Sequence, residues 1–176
     1  KEGVKFHNGE TLTAGDVVFS MMRAKESSEM SNFTKNIVKA EAVDDLTVKI
    51  VLDQPYVPFL TAVASTVCIM NAKAVNEAGD NIRQMPVGTG PYKFKQWDSG
   101  SQVVLERFDD YHDALPQIRE ANYVVLTNPE TALTALQTGE IDMTYTIPPI
   151  AVQELKDSQD LVLDLNPTMG LSLIHI

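Results

Sequence analysis

The chain has 176 residues, with 14 Lys+Arg against 24 Asp+Glu, 44% hydrophobic residues and one Cys. A net charge of −10 disfavours nucleic acid or anionic lipid as a general partner, and one Cys excludes a disulfide framework or a multi-cysteine zinc site. No apolar run reaches the roughly 20 residues of a membrane-spanning helix, and the apolar fraction excludes wholesale disorder, leaving a soluble, acidic, mixed α/β protein of one medium or two small domains.

Val4-Lys5-Phe6 reads as part of a strand, and His7-Asn8-Gly9-Glu10 as a turn in which Asn-Gly supplies positive φ. Thr13-Ala14-Gly15-Asp16 has capping-box character, and Val17, Val18, Met21 and Met22 continue it at helical spacing, which predicts a helix over about 14–26. A polar loop over 27–32 precedes a hairpin, 38–43 with 46–52, turning at Asp44-Asp45. After Pro55 and Pro58 come a short apolar helix over 59–64, a buried strand over 67–70, and a helix over 72–78 stopped by Gly79-Asp80.

A boundary is expected over 81–88, where apolar density falls and Pro86 and Gly88 punctuate the chain. A second hairpin follows, 92–97 with 102–107, about Asp98-Ser99-Gly100-Ser101, and then a strand over 122–126. Asn128-Pro129-Glu130 is a strong helix start: a capping Asn, Pro in the first turn, and an acid at the positive end of the dipole. That helix presents Ala132, Leu133 and Leu136 and ends at Gly139. Strands over 141–145 and 161–165 flank a helix over 150–156, and this alternation predicts an α/β sheet.

Candidate chemistry is sparse. Asp109, Asp110, His112 and Asp113 could form a carboxylate-rich metal site, although a charged loop after a strand is normally solvated. Gly88-Thr89-Gly90-Pro91 is followed by a strand rather than a helix, so it reads as a tight turn and not as a phosphate loop. Cys68, in an apolar run, is expected to be a buried, inert thiol. Glu140 and Asp142, two residues apart on a strand, would share a face and could act as acid and base; surface placement is the more ordinary reading. No nucleophile elbow occurs. The expectation is a protein that is not an enzyme and needs no metal or cofactor.

Both ends are expected to be cut. The chain opens at Lys1 without Met, inside strand-like sequence, so upstream residues are expected and compartment is not legible from a leader. At the other end, Leu171-Ser172-Leu173-Ile174-His175-Ile176 is what CTG-TCT-CTT-ATA-CAC-ATC encodes. That string matches a transposon adapter end used in sequencing libraries, and residues 171–176 are set aside as its translation; any other codon choice would refute this.

Four segments, in order, resemble the extracytoplasmic solute-binding proteins of peptide- and nickel-type ABC importers. Gly3-Val4-Lys5-Phe6-His7-Asn8-Gly9-Glu10 with Thr13-Ala14-Gly15-Asp16-Val17-Val18-Phe19-Ser20 is similar to that family's strand–turn–helix signature. Pro86-Val87-Gly88-Thr89-Gly90-Pro91-Tyr92 resembles the turn that begins its next hairpin, Val104-Leu105-Glu106-Arg107-Phe108-Asp109-Asp110-Tyr111 its continuation, and Gly139-Glu140-Ile141-Asp142-Met143 the motif before its hinge. One departure is His112, where the family commonly has Trp after that Tyr.

The resemblance implies a mixed α/β (α+β) fold of the type II periplasmic-binding-protein kind, of which this chain is part of the first lobe of a two-lobed flytrap. Residues 1–87 would be a first-lobe subdomain and 88–170 an α/β core segment leading to the hinge. The implied function is capture of peptides, or of a related small solute such as a nickel chelate, glutathione or an oligosaccharide. Capture would take place outside the cytoplasmic membrane, in the periplasm or on a lipid anchor, with delivery to ABC permease subunits. A monomer at full length is implied, with no nucleic-acid partner. The alternative is a ligand-sensing module of a regulator or chemoreceptor, which an upstream DNA-binding or signalling domain would reveal. Ligand contacts in such a lobe are expected from Phe33, from Tyr145 and Thr146, and from Asn166, Thr168 and Met169 where the chain recrosses the cleft.

Overall fold

The computed structural model describes residues 1–145 and 147–164. The chain divides into two compact units, Lys1–Val124 and Val125–Ile176. In the first, helix α1 (Ala14–Glu26) and the short α2 (Ser31–Thr34) precede a two-stranded antiparallel hairpin of β1 (Ile37–Ala42) and β2 (Val48–Leu52). Helices α3 (Phe59–Thr66) and α4 (Ala72–Ala78) follow, then a single 3₁₀ segment, Gly79–Arg83. A three-stranded antiparallel sheet ends the unit, in the order β3 (Tyr92–Asp98), β4 (Gln102–Arg107), β5 (Glu120–Val124). Among the described residues no helix is long and apolar enough to cross a membrane.

Local signals explain the helices. Asp16 Oδ2 accepts both the backbone N–H (3.0 Å) and the hydroxyl (2.8 Å) of Thr13, so the box at the start of α1 is closed from the acid's side. Its buried stripe packs Met21 against Ile37 of β1 and against Phe59 and Val63 of α3, with Val17, Ile50 and Leu52 around them. Ile37 and Phe6 are fully buried. Gly9 takes φ +87° in the Asn8-Gly9 turn, a conformation that costs an L side chain energy and glycine little. Upstream of that turn the expected strand is reduced to one bridge, Lys5 with Thr11.

In the second unit, α5 (Pro129–Gln137) starts as its sequence predicts, with Asn128 Oδ1 accepting the Thr131 N–H at 2.8 Å. It stops at Gly139, whose φ is +75°. A 3₁₀ turn (Pro149–Ala151) leads into α6 (Val152–Lys156). The strand expected over 141–145 is not formed, and 161–164 is likewise irregular; residue 165 lies outside the described residues. Extended apolar residues become a strand only when another strand takes up their backbone groups, and among the described residues neither segment has such a partner. The sheets that do form are antiparallel throughout.

Candidate functional site

The first unit contains a groove of about 700 Å³, within the range of small-molecule sites. Four separate stretches line it: the C-terminal half of α1, the 27–30 loop, the 66–70 segment and parts of the 82–88 segment. Met30, Met70, Ile69 and Val87 give it apolar surface, while Arg23, Arg83, Glu26 and Glu29 bring charge of both signs. Neither arginine makes an ion pair with a carboxylate among the described residues; the Arg23 guanidinium instead lies 3.7 Å from the Met70 sulfur.

Buried polar side chains fix these walls to one another. The Ser20 hydroxyl donates to the Asp16 carbonyl at 2.8 Å and accepts the Met70 N–H at 3.0 Å. Asp16 Oδ1 accepts the Ala72 N–H at 2.9 Å, so one helix terminus holds the end of the 66–70 segment twice over. Asn71 caps α4 through the Ala74 N–H (2.8 Å), donates to Glu10 Oε2 (2.9 Å), and gives its backbone N–H to the Val87 carbonyl (3.3 Å). Glu10 is further held by Lys73, and those two bonds keep its carboxyl below the ordinary glutamate range. Each of these groups is 8% exposed or less in the case of Asp16, Ser20 and Asn71, where a missing partner would leave a desolvated polar atom.

His7 secures the last wall. Its backbone N–H donates to the Gly88 carbonyl at 2.9 Å. Its ring Nε2 lies 3.0 Å from the Gly90 carbonyl, and its Nδ1 lies 3.3 Å from the Gly88 N–H. A carbonyl only accepts and an amide only donates, so this geometry requires the neutral tautomer with hydrogen on Nε2. Phe108 meets the ring edge-on, with centroids 5.1 Å apart. Burial lowers the His7 pKa below the ordinary value; the Gly90 bond opposes this and Lys93 adds to it.

Of the residues nominated from sequence, the two that are described do not line this groove. Phe33, on α2, is 40% exposed and bonds back to Met30, which does line the groove. Tyr145, in the second unit, is 85% exposed. Thr146, Asn166, Thr168 and Met169 lie outside the described residues. Cys68 requires correction: it is exposed and faces the groove. Residues 67–70 join no ladder; Val67 and Ile69 pack on the core, while Cys68 is exposed.

Asp109, Asp110 and Asp113 are each met by a cation, from Arg107, Lys5 and Lys1 respectively, and among the described residues no metal-binding group of His, Cys, Asp and Glu is found. Glu140 and Asp142 are both exposed, on an irregular segment. Arg23, Met70 and Gly88 were not nominated from sequence, because a groove built from four distant stretches leaves no spacing signal.

Residues 1–175 match the family model of bacterial extracellular solute-binding proteins, family 5 (middle region). The chain belongs to that family. This family 5 chain is 36% identical over 172 residues to the glutathione-binding protein GsiB of Pectobacterium atrosepticum, covering 95% of the chain and 34% of that relative. Among solved structures it is similar to AgaA of A. tumefaciens R10 in complex with agropinic acid, with TM-score 0.81 and 31% identity over 89% of this chain and 33% of that one. It is also similar to DppA of Helicobacter pylori in complex with the peptide STSA, with TM-score 0.78 and 26% identity over 93% of this chain and 37% of that one. The mixed α/β fold is thus that of periplasmic binding proteins, and the family 5 chain spans about a third of the length of these relatives.

Proposed function

We propose that this chain is part of the first lobe of the substrate-binding component of an ABC importer. The component captures peptides or a related small solute outside the cytoplasmic membrane and delivers them to a permease. The observation that carries this reading is the similarity, over about nine-tenths of the chain, to structures holding agropinic acid and a peptide. The groove between α1, the 27–30 loop and the 66–70 and 82–88 segments is this lobe's face of the solute site. Phe33, beyond the 27–30 loop, extends that face.

The mechanism is hinge closure. A solute that touches two lobes favours the closed form by its differential affinity for it, and a permease can then distinguish loaded from empty protein. Main-chain hydrogen bonds to an extended peptide would supply affinity with little side-chain selectivity. Both signs of charge at the groove suit a solute that carries both a carboxylate and an ammonium group. No step here makes or breaks a covalent bond, and the exposed Glu140 and Asp142 have no part in it.

Calorimetric titration of the intact gene product tests the proposal, with reduced glutathione, the tetrapeptide Ser-Thr-Ser-Ala, agropinic acid and nickel–histidine as probes. Saturable one-to-one binding of at least one is expected. Absence of binding to all four and to a random tripeptide pool would overturn it.

A further inference from the structure

We propose that the neutral imidazole of His7 is a pH-sensitive latch on the groove, holding the Gly88–Gly90 turn by three hydrogen bonds while the ring is neutral and loosening it at Gly88, where one bond is lost, once the ring is protonated. The latch stands on the fold of this chain; only its consequence for solute capture rests on the function proposed above.

The geometry is that of a two-sided staple. His7 lies at the tip of the N-terminal turn, and Gly88 and Gly90 lie more than eighty residues further along the chain. Three hydrogen bonds join them: His7 N–H to Gly88 O, Nε2–H to Gly90 O, and Gly88 N–H to Nδ1. Protonation leaves the first two intact and inverts the third. Nδ1 becomes a donor facing the Gly88 N–H, so two hydrogens are directed at each other where one bond existed. The strained residue is itself part of the groove wall, as are its neighbours Pro86 and Val87. Nothing in the 86–91 turn titrates, so the turn has no other source of pH response.

The surrounding charges do not mask this effect. In the N-terminal turn, Lys5 is paired with Asp110 at 2.8 Å and Glu10 with Lys73 at 2.9 Å. In the loop carrying Phe108, Asp109 is paired with Arg107. On β3, Lys93 is paired with Glu106 at 3.1 Å and is the charge whose field reaches the ring, opposing protonation.

The sign follows from linkage. The unfolded chain takes up the proton near pH 6.5, and the folded chain resists until a lower pH. Stability from this site is therefore full above about 6.5 and declines as the pH falls toward the folded value. Loosening the wall at low pH would favour solute release.

A proton-detected nitrogen titration of the wild-type chain tests the latch without any variant. His7 is expected to show the Nε2–H tautomer at neutral pH and to titrate below 6.5, with the Gly88 and Gly90 amides moving at the same midpoint. A His7 midpoint at or above 6.5, or amides that do not follow it, would overturn the proposal. An environment-sensitive dye on Cys68 reads the groove in parallel. Its emission should change as the pH falls below about 6.5, and His7→Gln, which can donate and accept as the neutral ring does but does not titrate, should remove most of that change. Equal pH responses in wild type and His7→Gln would also contradict the latch. If dye and amides respond as expected while no solute binds at any pH, the proposed function fails and the latch stands.

Discussion

His112 has a ring nitrogen, Nδ1, that is buried without a hydrogen-bond partner among the described residues. The ring stacks obliquely on Tyr111, with centroids 4.5 Å apart, at the position where the resembling family commonly has Trp. Histidine packs against the Tyr111 ring at the cost of one desolvated nitrogen. A buried unpaired polar atom costs roughly 1–3 kcal/mol, so His112→Phe is expected to raise the urea midpoint of unfolding, corresponding to a gain of about 1 kcal/mol in unfolding free energy once partial exposure is allowed for. An unchanged or lowered midpoint would mean that Nδ1 is bonded in solution. Residue-level reading from sequence failed most clearly at Cys68. Its apolar neighbours predict burial, yet Val67 and Ile69 take the places on the core and leave Cys68 exposed at the groove.

Helix α1 shows what was legible at the next scale. Its start follows from a local capping signal, as do the end of α4 and both ends of α5, whereas the residues most deeply buried on α1 share only Met21 with the apolar stripe expected from sequence. The same signals carry tertiary load: Asp16 closes the α1 box and holds Ala72. Asp16→Ala should therefore cost more than the ~1 kcal/mol of an ordinary cap, at about 2–3 kcal/mol with the second bond included. Thermal denaturation followed by circular dichroism would show this. A loss of no more than an ordinary cap would separate α1 from the 66–72 segment energetically. Strands were less legible than helices for a physical reason. The hairpins β1–β2 and β3–β4 carry their partner within a few residues and were found, whereas 141–145 has the right side chains and, among the described residues, no partner to pair with.

For the whole molecule, family and fold were legible because four motifs occur in order along the chain, and order is a property that a single short motif lacks. The groove was not, since it exists only after α1, the 27–30 loop and two later segments have been brought together by Asp16, Ser20, Asn71 and His7. The motif residues turn out to build the walls: His7 of the first motif meets Gly88 of the second, and Asp16 and Ser20 of the first hold Ala72 and Met70. The motif turns thus hold the groove's walls together, and Ser20 and residues 86–88 also line it. Hydrogen–deuterium exchange on the intact gene product, with and without saturating solute, tests this account most directly. Added protection is predicted in 27–33, 66–70 and 86–90, with α5 and the β3–β4 hairpin unchanged. Saturable binding that leaves those three segments as exchangeable as before would contradict it.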